Sequence, residues 1–248
     1  MDQFIRSKLI YGEDAVLLLK KSHVAIFGVG GVGGYVAESL ARTGVNHFTL
    51  VDNDVVSLSN INRQIIADIN TIGRNKVDVM KERILAINPN AVVETKNIFF
   101  LGDKDEDIDF EAFDYVVDAI DTVKAKIALV IKANEVNVPI ISSMGAGNKV
   151  NPMGFIVTDI SKTEMDPLAK VMRVELRKRG IRHLKVVYSK EKPIQPIQYY
   201  LDEEETKNKR SVPGSNAFVP SACGLLIASE VVRDLTESVA REALRRNK

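Results

Sequence analysis

Residues 28–33 read GVGGVG, which places Gly28, Gly30 and Gly33 at G-x-G-x-x-G spacing between an apolar run, HVAIFG (23–28), and a helical pattern, YVAESLART (35–43). In a strand–turn–helix of this kind the first glycine permits a tight turn. The second lets backbone approach a phosphate, and the third lets the helix pack on the strand. The helix start then offers unbonded N–H groups and a positive dipole end to an anion. About 20 residues further on, Asp52 closes the next apolar run, HFTLVD (47–52), where a carboxylate can accept the hydroxyls of a ribose. A glycine motif alone is equally a tight turn; with strand, helix and acid in order it reads as a nucleotide site.

The segment after Asp52 departs from a simple dinucleotide pattern. A second acid, Asp54, leads into small polar residues and an Asn-x-x-Arg, Asn60 to Arg63, with Lys76 on the same connected segment. Later in the chain, DYVVDAID (114–121) carries two acids three residues apart, so Asp118 and Asp121 cannot share one face of a regular strand. Asp121 alone then lies beyond the strand's carboxyl end, where ligands of open α/β sheets bind. Arg63 and Lys76 can neutralise a phosphoryl centre and a departing pyrophosphate, and Asp121 can hold magnesium. Each also has an ordinary reading. Lys76 taken singly is a solvated helix charge, and Asp121 is a cap for the helix beginning TVKAKIA. Together they form the equipment of nucleotidyl transfer. The three histidines offer no competing catalyst, since His23 and His47 start strands and His183 sits in a basic loop.

Positioning these residues requires strands and helices in alternation, and the chain supplies them. Helical patterns at 75–88 and 124–137 separate strand-like runs at 91–97, 114–121 and 139–144. This alternation predicts an α/β fold, a Rossmann-like and mostly parallel sheet with helices on both faces. After Gly147 the pattern loosens into a strand (154–160), a basic helix (166–180), a strand (184–189) and a Pro/Lys/Glu/Ser-rich segment, 190–217. That segment is long for an idle loop and is expected to be mobile or ordered by a partner. With no repeat or strong linker, residues 1–248 read as one nucleotide-binding domain. Residues 1–150 form its nucleotide-binding core, and 151–248 a C-terminal elaboration facing the substrate.

Composition narrows the class further. The 248 residues carry a net charge of +1, so no global field points to nucleic acid or membrane. A single cysteine, Cys223, excludes an intramolecular disulfide and a Cys-rich zinc site, and fits a reducing cytosol. No apolar run approaches a membrane span, and MDQFIRSKLIYGEDAV lacks a signal-peptide core. A soluble, cytoplasmic protein is expected.

GVGGVG, LVDNDVVSLSNINRQ, GRNKVDVMKERILAINPNA and DYVVDAIDT together resemble the adenylating family of ubiquitin-activating enzymes and bacterial activators of sulfur-carrier proteins. The resemblance implies ATP and Mg2+ as cofactors. ATP contacts are implied at Gly28, Gly30, Gly31, Gly33, Asp52, Asp54, Ser59, Asn60, Arg63, Gln64, Lys76 and Asp121. It further implies catalytic roles for Arg63, Lys76 and Asp121, with Asp121 at the metal. Arg6 in FIRSKLIYGEDAV would be donated across a homodimer to the partner subunit's ATP. Sulfur-carrier activators typically carry two Cys-x-x-Cys pairs, which one cysteine cannot supply. GAGNKVNPMGFIVTDISKTEMDPLAKVMRVELRKRGI is similar instead to the branch that dehydrates threonylcarbamoyladenosine beside the tRNA anticodon. That implies a tRNA substrate, an acyl-adenylate intermediate and closure of a ring. Beside tRNA and a second copy of the chain, the resemblance admits a sulfur-relay protein as a partner. Activation of a ubiquitin-like sulfur carrier and nicotinamide-dependent oxidoreduction stand as the alternatives. Cys223, in PSACGLLIAS at a helix start, reads as a buried structural thiol.

Charge distribution bears on the tRNA reading. Residues 170–192 hold nine Lys/Arg against two Glu, although the whole chain is nearly neutral. Such a stripe suits a phosphate backbone, and equally a solvated helix face. The acidic run DKDEDIDFEAFD (103–114) is expected to face away from RNA.

Overall fold

The computed structural model describes residues 2–102, 108–197 and 213–246. Two short helices, α1 (Ile5–Tyr11) and α2 (Glu13–Lys21), lead into strand β1 (His23–Phe27). Then come α3 (Gly33–Thr43), β2 (His47–Val51), α4 (Lys76–Ile87), β3 (Val92–Lys96), β4 (Tyr115–Asp118), α5 (Val123–Glu135) and β5 (Ile140–Ser143). The chain continues through β6 (Phe155–Asp159), α6 (Pro167–Lys178), β7 (Lys185–Ser189) and a long α7 (Val219–Arg246). The seven strands form one sheet in the order β3-β2-β1-β4-β5-β7-β6, parallel except for β6, which runs antiparallel to β7. The α/β expectation holds. Strand ends fall a residue or two inside the apolar runs, and three inside at Asp118, the end of β4, as they do where glycine or a polar residue closes the ladder.

Period-two alternation divides the sheet between its faces. Val24, Ile26, Phe48, Leu50, Tyr115, Val117, Ile141 and Val187 pack beneath α3, α4 and the first half of α7. Ala25, Phe27, Val51 and Val116 face the other way, against α5 and the Phe100–Phe113 aromatic cluster. On that same side, under α6, lie Val186 and Tyr188. Both faces are covered, which is why the strands are nearly continuous in apolar residues.

Two elements lay outside the sequence reading: the α1–α2 pair, and the full extent of α7, which packs on α2 and α3. Of the 190–217 segment, residues 198–212 lie outside the described residues. Its flanks are fastened by the chain itself. The amide of Ile194 donates to the Asn148 carbonyl, the amides of Val150 and Asn151 donate to the Glu191 carboxylate, and the amide of Gly214 donates to Asn148 Oδ1. Acidic residues 103–107 also lie outside the described residues. No helix among the described residues is long and apolar enough to cross a membrane.

Candidate active site

Strand order reverses at β1, whose neighbours are β2 on one side and β4 on the other. The crevice outside the carboxyl ends of such strands is where open α/β sheets bind ligands. Here those ends carry Gly28, Asp52 and the Asp118–Asp121 turn.

Gly28 has φ +86°, and a Cβ there would lie 2.6 Å from the Ala119 carbonyl oxygen, so only glycine fits both the turn and the approach of β4. A Cβ on Gly33 would lie 1.8 Å from the Gly28 carbonyl oxygen, which locks the start of α3 onto the turn. Gly30 is different. Its nearest neighbour to an added Cβ is Gln64 Nε2 at 3.7 Å, so its face is open on the protein's account. That is the position at which a phosphate would approach backbone. An added Cβ on Gly31 would meet Pro220 at 3.2 Å and the Arg63 side chain at 3.6 Å. Segment 60–64 and the start of α7 therefore both border the loop.

Asp52 is fixed by two amides: Val29 N–H donates to Oδ2 at 2.7 Å and Asp54 N–H to Oδ1 at 2.9 Å. Burial pushes its carboxyl pKa up, opposed by Lys76 and by these two amides. The carboxylate thus sits beside the glycine loop with one lone pair of each oxygen already used, leaving the others for ribose hydroxyls. Asp54 faces outward and accepts a 2.7 Å ion pair from Lys76. Lys76 itself is only 5% exposed, so the reading of it as a solvated helix charge is overturned. The bridge between Val55 and Asn75 brings the start of α4 back against the segment after β2 and delivers the ammonium to the crevice.

Between them, a short 3-10 turn at Leu58–Asn60 is closed by its own side chains. Asn60 Oδ1 accepts the Ser57 amide, and Ser57 Oγ lies 3.1 Å from Ser59 Oγ. Buried Asn60 keeps its NH2 group, a donor suited to phosphate oxygen. Arg63 is half-buried, with Nη1 donating to the Ser59 carbonyl at 2.7 Å and to Asn62 Oδ1 at 2.8 Å. Gln64 Oε1 is buried without a hydrogen-bond partner, beside Gly30. An orphaned acceptor there fits a ligand that brings hydroxyl or amino donors, as a nucleotide does.

Asp121 is exposed beyond β4, as expected, and receives Thr122 Oγ1 at 3.3 Å. It does not cap α5; Thr122 holds that position. A magnesium ion usually binds through one or two carboxylates plus phosphate oxygens, and Asp121 offers one such carboxylate at the crevice. The residue set fits ATP with magnesium.

Sequence reasoning missed what holds Asp121 in place. Lys126 and Asp118 form a fully buried ion pair at 2.9 Å. Lys126 Nζ also donates to the Ile120 carbonyl at 3.0 Å, and Ser142 Oγ donates to Asp118 Oδ2. The turn bearing Asp121 is therefore closed around a buried ammonium. The available signal was Lys126 sharing a helical stripe with Leu129, Val130 and Ala133, all buried. A second buried pair, Lys149 with Asp166 at 3.1 Å, ties the loop after β5 to the start of α6, with Lys149 also donating to the Gly145 carbonyl. Asn216 Nδ2 donates to the Lys149 carbonyl, and its Oδ1 accepts the amides of Phe218 and Val219 at the α7 start. Cys223 lies in this layer, fully buried, 3.4 Å from Ser143 Oγ; burial pushes its pKa up to about 11. The thiol is buried, as expected. Arg6 is exposed on α1, which packs on α2 and does not line the crevice of its own chain.

Comparison with known proteins finds relatives that match the chain over nearly its whole length. The tRNA threonylcarbamoyladenosine dehydratase of Bacillus subtilis is 43% identical over 245 residues, covering 96% of each chain. The crystal structure of E. coli tRNA N6-threonylcarbamoyladenosine dehydratase, TcdA, in complex with ATP superposes with a TM-score of 0.84 at 32% identity, over 96% of each chain. Its complex with AMP gives 0.86 at the same identity and coverage. The ThiF family matches residues 3–247, nearly end to end, and the chain belongs to that family.

Proposed function

We propose that this chain dehydrates the threonylcarbamoyladenosine beside the anticodon of tRNA in an ATP-dependent reaction that passes through an acyl-adenylate. The observation that carries the reading is the convergence of the glycine loop, Asp52, Lys76 and Asp121 on one crevice, in a chain alike over its whole length to dehydratases. The domain reading goes with it: one adenylating domain, with 151–248 on the substrate side.

A free carboxylate resists attack because oxide is a poor leaving group. In the proposed reaction a carboxylate oxygen of the threonylcarbamoyl group attacks the α-phosphorus of ATP and pyrophosphate leaves. The ureido nitrogen then attacks the acyl carbon, loses its proton and expels AMP, closing a five-membered ring. Asp52 holds the ribose, and the open face of Gly30 admits the phosphates. Lys76 and Arg63, with the NH2 of Asn60, carry positive charge and donors toward the phosphoryl oxygens as charge shifts to pyrophosphate. Lys76 can exchange Asp54 for phosphate without leaving its socket. Asp121 would hold magnesium, which supplies charge neutralisation on the phosphates.

A homodimer belongs to the proposal, with Arg6 reaching the partner subunit's ATP and acting in the reducing cytosol. An intramolecular nucleophile needs no thioester, which suits a buried Cys223 of raised pKa and leaves no chemical step for a sulfur-relay protein. Nucleoside mass spectrometry of tRNA after incubation with protein and ATP, handled mildly so that the ring does not reopen, tests the reading. A threonylcarbamoyladenosine lighter by one water, formed only with ATP, is expected. Unchanged nucleoside together with adenylation of a Gly-Gly-tailed carrier protein would replace it with the sulfur-carrier alternative.

A further inference from the structure

The nine cations of 170–192 are not one undifferentiated stripe. Arg173 is half-buried and donates to the Thr163 carbonyl at 3.0 Å and to Thr163 Oγ1 at 2.5 Å. Lys178 and Arg179 both pair with Glu175, and Lys185 pairs with Asp234 and Glu230. These four are already engaged by groups of the chain itself. Lys170, Arg177, Arg182, Lys190 and Lys192 are exposed and form no ion pair among the described residues.

Their placement follows from the strands. Asp166, at the start of α6, lies against Gly145 just after the carboxyl end of β5, beside the candidate active site. Lys190 and Lys192 flank Glu191, which binds the 150–151 amides at that same end. Asp159 stands opposite Lys185, the first residue of β7, and Ile160 N–H donates to the Leu184 carbonyl, so both lie at the opposite end of the sheet. α6 therefore runs from the active-site end to the far end, about 18 Å over its 12 residues. Lys170 and Arg177, seven apart, share one of its outward rows. At the far end Ser161, Arg177, Gly180, Arg182 and His183 line a cleft of about 630 Å³. The acids nearby are accounted for: Asp159 lies 3.2 Å from His183 Nδ1, and Glu175 carries its own two cations.

We infer that this cleft is a phosphodiester-binding site for the stem of the RNA whose reacting base enters the crevice at the other end of α6. Two unpaired guanidiniums, an imidazole and a hydroxyl suit a backbone phosphate and read no base. The path along α6 corresponds to roughly five nucleotide steps at duplex spacing. Lys170 lies along the way. The inference rests on the tRNA reading above.

The test is binding of a fluorescent tRNA transcript across a potassium chloride series by the wild-type chain and by Arg177→Glu/Arg182→Glu. The variant is expected to bind at least tenfold more weakly at low salt, with the slope of log affinity against log salt reduced by about two. ATP affinity should be unchanged, because neither residue borders the nucleotide crevice. Arg177→Gln/Arg182→Gln, which cannot add repulsion, should show the same loss of slope, and it serves if the reversed charges impair folding. Equal affinity and slope in folded variants, while the wild type cyclises tRNA, would remove the cleft from the RNA path and leave the dehydratase reading intact. A wild-type chain that turns over no tRNA would overturn that reading, and this inference with it.

Discussion

Gly30→Ala separates the nucleotide loop's chemistry from its architecture. Gly30 is not among the glycines with positive φ, and the nearest atom to an added Cβ is 3.7 Å away, an ordinary contact. The folded protein therefore has room for the methyl group. Replacing glycine at a compatible position stabilises by about 0.4–1 kcal/mol through the unfolded chain. For a chain of 248 residues that is a rise in Tm of roughly 1–4 °C. A phosphate drawn against the Gly30 backbone would meet the methyl group instead. Overpacking of one methyl costs about 1–3 kcal/mol, so ATP affinity should fall by about 5- to 150-fold. Isothermal calorimetry with ATP and magnesium, beside a thermal melt, reads both quantities. Gly33→Ala is the contrast: its Cβ would sit 1.8 Å from the Gly28 carbonyl, so that variant should not give folded protein. A Gly30→Ala chain as stable as the wild type and binding ATP within twofold of it would refute the placement of phosphate on this loop.

Three further outcomes are expected. Lys126→Met leaves the Asp118 carboxylate buried without its cation and should cost about 3–5 kcal/mol in a denaturant melt. Asp118→Asn/Lys126→Met should recover much of that stability but not turnover, since the Asp121 turn loses its fastening. Cys223→Ala should retain dehydration with a modest loss of Tm; a folded, ATP-binding variant with no cyclisation would make the thiol catalytic. Arg6→Ala and Asp121→Ala should each be inactive and regain part of the activity when mixed and exchanged, because one site of the mixed dimer keeps both groups. A dead mixture of two folded, singly inactive variants would place Arg6 in its own chain's chemistry, and a fully active Arg6→Ala would leave it no catalytic part.

The sheet was legible because its strands are short apolar runs cut by glycine, proline and asparagine, and because burial on both faces makes those runs continuous. Gly28, Gly33 and Asp52 were legible for the same local reason: each stands at a fixed offset from a strand end. Lys76 was misjudged when read singly because its burial depends on a long-range event, the return of α4 to the segment after β2. Lys126 and Lys149 were invisible for a related reason. A lysine in a sequence reads as solvated, and only the approach of Asp118 or Asp166 from a distant segment supplies the partner that permits burial. The basic segment read as uniform because sequence does not show which cations Glu175, Thr163 and Asp234 have already taken. In α7 a polar, charged second half masks the regular period of a helix whose first half is core.

The fate of one oxygen atom tests the central claim most directly. In the proposed reaction a carboxylate oxygen of the substrate becomes bonded to the α-phosphorus and leaves with AMP when the ring closes. Threonylcarbamoyladenosine tRNA bearing heavy oxygen in that carboxylate is incubated with protein, unlabelled ATP and magnesium, and the nucleotide products are weighed. The account predicts AMP carrying one heavy oxygen, with unlabelled pyrophosphate, in step with the cyclised nucleoside. Labelled inorganic phosphate with unlabelled ADP would contradict it, since activation would then have occurred at the γ-phosphorus and the crevice would not be an adenylating site.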